Sequence, residues 1–390
     1  NVGPNPAPAV SGQMFGGVGG IALGGERYFL EELRGPVTFN ADGFTVDWST
    51  SFTYKQGAVS YLAFGGDADF RVSAQYAAGD YIPYGTSMRV LFDDPTFHPD
   101  FVMVFATRER EFSDMSGSWG IHAGPVGALS SSQWCQCWQI TGEQSPSDYN
   151  TSMLAGSVIN IRGAAGDEGG KMRVSGKGPG YVDLENEAIV GTYDGLWNIY
   201  VVGGRGFVTT MGNAAKPTSV TTQALTSRNP KAFLMAGMSN TTFHTLQADL
   251  RASVGVSDGT NHAAMHIRGE DALTTLDSGV IHSNTKVYVG GADATPNDNQ
   301  ATVAFSANAA TLSWNPSPAQ AHQFGYAIFT QANPLEAFIG GASDFFPLRF
   351  GTPVMLAATI RGLSVFFPQT FGNVGNIAQA LMETTSGMSA

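Results

Sequence analysis

Phrases of glycine, proline and spaced aromatic residues return along this chain at close to one interval, and a chain that repeats at a fixed spacing folds as repeated units. Pro99, Phe101, Val102 and Met103 are echoed by Pro230, Phe233, Leu234 and Met235, with the prolines 131 positions apart. Gly120-Ile121-His122-Ala123-Gly124 is echoed by Gly255-Val256-Ser257-Asp258-Gly259, 135 positions on, both of the form Gly-[Ile/Val]-x-x-Gly. A longer phrase contains Val37, Phe39, Ala41, Thr45 and Trp48, followed by Tyr61 and Phe64. It comes back 266 positions later as Val303, Phe305, Ala307, Thr311 and Trp314, followed by Tyr326 and Phe329. That distance is two intervals of about 133, so a middle copy is due near residues 170–204, where 196–204 bears only a loose likeness. A unit of this length is too long for a solenoid rung or a propeller blade and has the size of a β-sandwich or jelly-roll domain.

The local pattern agrees with strands. Short apolar runs with period two or continuous character are bounded by Gly, Asn, Asp and Pro. Residues 37–48 read as a hairpin, with Asp42-Gly43 as its type I′ turn. Further strands are expected at Ala58–Phe64, Met88–Phe92, Phe101–Ala106, Trp134–Ile140, Val158–Arg162, Leu196–Val202, Ala232–Met238, His262–Arg268, Lys286–Val289, Ala301–Phe305, Phe324–Thr330 and Val354–Ile360. Helical periodicity is confined to about residues 374–383, where Ile377, Ala380 and Leu381 share a face. The expected fold class is all-β, with tandem antiparallel β-sandwich (jelly-roll-like) domains and a short C-terminal helix. The expected divisions are 1–85, an abbreviated first repeat; 86–215, the second; 216–350, the third; and 351–390, a C-terminal arm. Tyr81–Gly85 and Ala215–Pro217 read as linkers.

Charge narrows the functional classes. Charged residues make up 13% of the chain, about half the share in a typical soluble domain. Such a neutral surface suits a protein whose faces are covered by neighbours in an assembly. The formal net charge of −12 opposes a phosphate backbone, so nucleic acid is not an expected partner. No run reaches the 18 or so apolar residues that span a bilayer, and no signal-peptide pattern opens the chain. A first residue other than Met is expected to mean either processing or a listing of only part of the chain.

The phrases Phe39–Trp48, Val59–Gly66 and Phe97–Val104 resemble phrases of tailed-bacteriophage structural proteins. There, a Gly-Phe-x-Pro-x-x-Val strand, a Gly-x-Gly strand and a Phe-x-x-x-Gly-Phe-Thr hairpin follow in that order and recur in tandem. The resemblance covers residues 36–345 in patches and implies a virion component of tail, fibre or capsid surface, assembled in the host cytoplasm, with no catalytic residues to carry over. Two departures stand out: Ala309-Ala310 replaces Gly43-Phe44 in the last copy, and the middle copy lacks the Phe-x-x-x-Gly-Phe phrase.

Several residue sets carry candidate chemistry. Gly255–Gly259 matches Gly-x-Ser-x-Gly, which makes Ser257 a candidate nucleophile where strand, sharp turn and helix follow one another. The expected continuation is a strand, and His122 takes the serine's place in the other copy, so a turn role is the expectation. His262 and His266 lack the Glu of a zinc-protease helix, and on a strand positions four apart are about 13 Å apart, too far for one ion. The loops Gly65–Asp69 and Gly290–Asn299 collect oxygen donors without calcium-loop spacing. Asp93-Asp94 and Asp167-Glu168 read as solvent-facing pairs. Cys135 and Cys137 share one strand face and are expected as buried thiols, with Trp134 and Trp138 placed on that same face. Trp48, Trp119, Trp134, Trp138, Trp197 and Trp314 are core candidates first and sugar-stacking platforms second.

The expectation is a non-enzymatic structural protein without metal or cofactor. Its partners would be copies of itself and other virion proteins, and a host surface glycan if the chain is instead an adhesin. A serine hydrolase using Ser257 is the remaining alternative.

Overall fold

The computed structural model describes most of residues 83–331 and, as backbone, the strands between Met14 and Ala78; short loops and residues 332–390 lie outside the described residues. The described residues are all-β and antiparallel, and no sheet closes into a barrel. The expected strands at 58–64 and 354–360 and the helix at 374–383 fall outside them.

The first sheet holds β1 (Met14–Gly17), β2 (Gly20–Leu23), β3 (Leu33–Asn40) and β4 (Gly43–Val46), in that order. Ten strands follow: β5 (Asp69–Ala78), β6 (Ser87–Leu91), β7 (Phe101–Glu111), β8 (Asp114–Ala123), β9 (Gln133–Thr141), β10 (Asp148–Ala155), β11 (Ile159–Arg162), β12 (Glu168–Gly178), β13 (Tyr181–Asn186) and β14 (Leu196–Arg205). They form a six-stranded sheet β10-β9-β8-β7-β14-β5 and a four-stranded sheet β11-β12-β13-β6. Ten more are β15 (Phe207–Ala215), β16 (Thr222–Thr226), β17 (Ala232–Met238), β18 (Leu250–Ser257), β19 (His262–Gly269), β20 (Ser278–Ser283), β21 (Tyr288–Gly290), β22 (Asn299–Phe305), β23 (Ala309–Trp314) and β24 (Gln323–Gln331). Their sheets run β20-β19-β18-β17-β24-β15 and β21-β22-β23-β16, the same order strand for strand.

By sheet membership the two sets run from Asp69 to Arg205 and from Phe207 to Gln331. Each begins one strand ahead of the boundaries expected at 86 and 216. The Pro/Gly stretches that read as linkers are crossings between the two sheets of one set, β5 to β6 and β15 to β16. The true junction is a single residue, Gly206, at φ 93°.

Three apolar layers separate four sheets. Val102, Val104, Ile199 and Val201 of the first six-stranded sheet pack on Ile159, Val174 and Leu184 of its four-stranded partner. Phe233, Phe324 and Ile328 pack likewise on Val303, Leu312 and Trp314 in the second set. Between these sandwiches the two six-stranded sheets meet each other, with Phe101, Ile121, Trp134 and Met153 against Leu234, Ala236, Ala327 and Phe329. Every residue of β17 is therefore buried, since both faces of its sheet are covered, and the polar-out alternation of a simple sandwich is lost.

Register explains the repeated phrases. In the hairpin β3–β4, Val37 pairs with Val46, Phe39 with Phe44 and Asn40 with Gly43. In β22–β23, Val303 pairs with Leu312 and Phe305 with Ala310, which is the same register. Gly43, expected as the second residue of the turn, is thus a paired strand position. Residue 43 and its counterpart 309 are paired strand positions, so Ala309 needs no glycine's freedom. The middle hairpin is β12–β13, whose register shifts between Val174 and Gly176; a bulge of this kind adds a residue to one strand and blurs the spacing of the phrase.

Candidate functional site: the joint between the sandwiches

The joint is built from β7, β8, β9 and β10 of the first set, which pack on β15, β17, β18 and β24 of the second. On β9 the side chains of Trp134, Gln136 and Trp138 face the second sandwich by strict alternation. Trp134 is fully buried and donates its indole N–H to the Tyr326 carbonyl at 3.2 Å. Its ring occupies the space over Gly325, where a β-carbon would lie 2.4 Å from the ring. Gln136 bridges two layers: its oxygen accepts from Trp119 Nε1 at 3.0 Å and its amide donates to the Gly237 carbonyl at 2.8 Å. Trp119 meets Trp134 edge-on at 5.1 Å, and Phe101 meets Phe329 at 4.9 Å and Phe207 at 5.5 Å, distances suited to edge-to-face aromatic attraction.

Backbone bonds tie the rim. Thr151 and Gln247 exchange N–H···O bonds of 3.1 and 2.9 Å, and His244 N–H donates to Met153 O at 2.8 Å. The Asp100 carboxylate accepts from the N–H groups of Gly206 and Phe207 at 2.7 and 3.0 Å, clamping the junction. Lys177 donates to the Asp100 carbonyl at 2.9 Å, and burial holds its ammonium below the usual lysine range.

The cysteines lie on the other face of β9, which corrects their expected sharing of a face with Trp134 and Trp138. Both are free and buried. Cys137 Sγ lies 2.7 Å from Ser152 Oγ and accepts from Asn160 Nδ2 at 3.3 Å, inside the first sandwich. Burial first, then the neighbouring Cys137, pushes the Cys135 thiol well above its ordinary range, so it stays protonated and inert toward electrophiles. The paired phenylalanines of the first repeat mark do not share a face. Phe101 faces the joint, whereas Phe233 faces the interior of its own sandwich. Pro99 and Pro230 correspond, but the phenylalanines are slipped by one, and one residue reverses the face of a strand.

Ser257 closes β18 and pairs across the hairpin with His262. Its hydroxyl donates to the Asn261 carbonyl at 2.8 Å, accepts from Gly259 N–H at 2.9 Å and touches His262 Nδ1 at 2.7 Å. The chain continues into strand β19, and all three partners belong to the same tight turn. The Ser257–His262 contact had no sequence signal, because pairing register alone brings the two together. Asp258 accepts from Thr260 and Asn261 N–H at 2.8 and 2.6 Å; despite desolvation, these bonds and that of the Asn261 side chain hold it below its usual range.

A second polar group lies inside the second sandwich. Tyr288 O–H contacts His322 Nδ1 at 2.9 Å, Lys216 donates to Asn299, and His266 and Arg251 are close enough to oppose a charge on His322. Burial first, then the nearby Lys216, pushes His322 down to about 3, and burial beside Arg251 and Arg268 pushes His266 down to about 4. His122, at the position of Ser257 in the first set, is likewise pushed down to about 4 by burial and Lys177. All three are neutral at pH 7.

Among the described residues no three His, Cys, Asp or Glu side chains gather as a metal site, and no helix is long and apolar enough to cross a membrane. Asp94 caps its own turn, accepting from Thr96 N–H at 2.8 Å and Thr96 Oγ at 2.7 Å. The side chains of 65–69, 167–168 and 291–298 lie outside the described residues, as do those of Trp48 and Trp197. Trp119, Trp134 and Trp314 are buried. The class defined so far is an all-β protein of layered antiparallel sandwiches joined sheet to sheet. No family model matches the chain, and no curated protein does.

Proposed function

We propose that this chain is a structural subunit that acts by assembly, a virion component of tail, fibre or capsid surface in the sense that its phage-like phrases imply. The observation that carries the reading is the joint. Two ten-strand sets of one order are fused through a buried aromatic layer and a one-residue junction clamped by Asp100. Such a body transmits force and holds geometry, which is the work of a scaffold, and its low charge suits faces covered by neighbours. Within each set the first strand lies beside the tenth and the second beside the ninth in the opposite sheet, the feature behind a jelly-roll-like description. Each set is read as one repeat of a tandem protein.

Glycan adhesion draws less support, because Trp119, Trp134 and Trp314 are committed to cores. The hydrolase alternative draws less still, because Ser257 is spent on its turn.

Sedimentation of the full chain over a wide concentration range tests the proposal. Mass that grows with concentration, or closes on a defined oligomer, is expected. A monomer at every concentration overturns it.

A further inference from the structure

One corner of the second sandwich's interior is polar. Lys216 follows β15 and His322 precedes β24, and the Lys216 N–H donates to the His322 carbonyl at 2.7 Å. This bond extends the β15–β24 ladder by one pair and sets the two side chains beside each other. Alternation puts both on the inner face, two positions from Ala214 and Phe324, which pack in the core. Asn299 opens β22 in the opposite sheet, two positions ahead of the core residue Ala301. Its strand partner is Gly290, and the Tyr288 hydroxyl lies over that glycine, 2.8 Å from where a β-carbon would stand. Lys216 is 7% exposed, Asn299 and Tyr288 1%, and His322 not at all. The Lys216 Nζ rests against the side-chain oxygen of Asn299, so an amine from one sheet meets a carboxamide from the other inside the core. The first sandwich closes the same corner differently. Val158 and Val287 donate alike to Met172 and Ala301, which makes Ile159 and Gly170 the counterparts of Tyr288 and Asn299. The ladders Gly120–Val104–Val201 and Gly255–Met235–Tyr326 correspond, which makes Trp197 the counterpart of His322 and its strand partner Ala77 that of Lys216. The module therefore folds without these polar groups, and burying them is costly unless they bond, so they point to a task of their own.

We propose that Lys216 and Asn299 condense into an isopeptide bond that staples the two sheets of the second sandwich. The Lys216 nitrogen attacks the carboxamide carbon of Asn299 and a new C–N bond forms. The bond from that carbon to its own nitrogen breaks, one proton passes from the attacking nitrogen to the departing one, and ammonia leaves. No oxidant, reductant or further reactant enters. Attack requires a neutral amine, and burial holds the Lys216 ammonium below the usual lysine range. Two groups held in contact by rigid strands react as one molecule, without the entropy of an encounter. The Tyr288 hydroxyl and the His322 imidazole, 2.9 Å apart, line the same corner and offer hydrogen-bonding groups to the charge that develops on the carboxamide oxygen. The bond closes a loop between positions 216 and 299, which constrains the unfolded chain as a disulfide does. It joins the sheets covalently in a chain whose cysteines are both free.

The test is the intact mass of the folded full chain, followed by peptide mapping. A mass lower than that of the sequence by one ammonia is expected, together with one branched peptide that contains both Lys216 and Asn299. Lys216→Met is expected to show the full mass of its own sequence and only linear peptides. A parent at full mass, or Lys216 and Asn299 recovered only in separate linear peptides, overturns the proposal. Ammonia loss that persists in Lys216→Met overturns it as well. Should Lys216→Met fail to fold, the parent's branched peptide decides alone, and Asn299→Ser repeats the comparison from the other side. The scaffold reading is independent of this bond, since the sedimentation that tests it does not depend on the mass of one peptide.

Discussion

Gly255 faces the carbonyl oxygen of Val287 so closely that a β-carbon on residue 255 would lie 1.7 Å from that oxygen. Gly120 stands in the same relation to Val158, at 2.4 Å. Val287 and Val158 each precede the first strand of a four-stranded sheet, and each donates its N–H into the next strand, to Ala301 and Met172 respectively, at 2.8 Å. The second glycines of the repeated phrase, Gly124 and Gly259, have φ of 93° and 92°, a region that favours glycine. One glycine of each phrase lets the sheets close, and the other turns the chain.

Gly255→Ala and Gly120→Ala are both expected to destabilise, by about 1–3 kcal/mol or more, since backbone rather than a flexible side chain stands in the way. Gly85→Ala, where open space surrounds the site, is expected to lose about 1 kcal/mol from its positive φ alone. Urea unfolding of the three variants gives the order, with Gly255→Ala the most costly.

Ala309→Gly tests the hairpin register. Position 309 begins β23 and pairs in the strand ladder, so glycine there is expected to cost about 0.5–1 kcal/mol. A gain in thermal stability would place the residue in the turn instead.

Trp134→Ala removes the largest fully buried side chain among the described residues and is expected to cost about 3–5 kcal/mol. Gln136→Ala leaves the Trp119 indole N–H and the Gly237 carbonyl without that partner, at about 1–3 kcal/mol. Because the joint couples both sandwiches, calorimetry of either variant is expected to resolve two transitions where the parent shows one.

Acid is expected to weaken the fold by protonating imidazoles that the folded chain keeps buried and neutral. His122, His266 and His322 titrate at about 4, 4 and 3 when folded, against 6.5 in a free chain. Between pH 6.5 and 4 the unfolded state binds more protons, so stability falls as pH falls. The unfolding free energy is expected to drop by about 1.4 kcal/mol per pH unit for each imidazole in that window. His122→Gln should flatten the slope by one proton, and a pH-independent stability down to pH 4 would contradict the burial of these rings.

Much of this was legible in residue order. The expected strand at 232–238 is β17, and those at 101–106 and 134–140 lie inside β7 and β9. Among the strands without an expectation, β8, β10, β12, β15, β18 and β20 are rich in Gly, Ser, Thr and Asn. They occupy layers where close approach or buried hydrogen bonds, such as Ser118 Oγ to Asn160 N–H at 3.0 Å, replace apolar bulk. β8 and β18 lack the alternating signal because the six-stranded sheets that hold them have an apolar layer on each face.

By itself the sequence determined the module: its interval of about 133, its antiparallel hairpins and the glycines that recur where backbone must pass backbone. These are local or periodic constraints, carried by which residue types fit a turn or a close approach. Only the tertiary structure decided which face each strand presents and that two six-stranded sheets pack together unequally. Facing depends on register, where one residue exchanges inside for outside, and the energy that fixes register comes from layers distant in the chain.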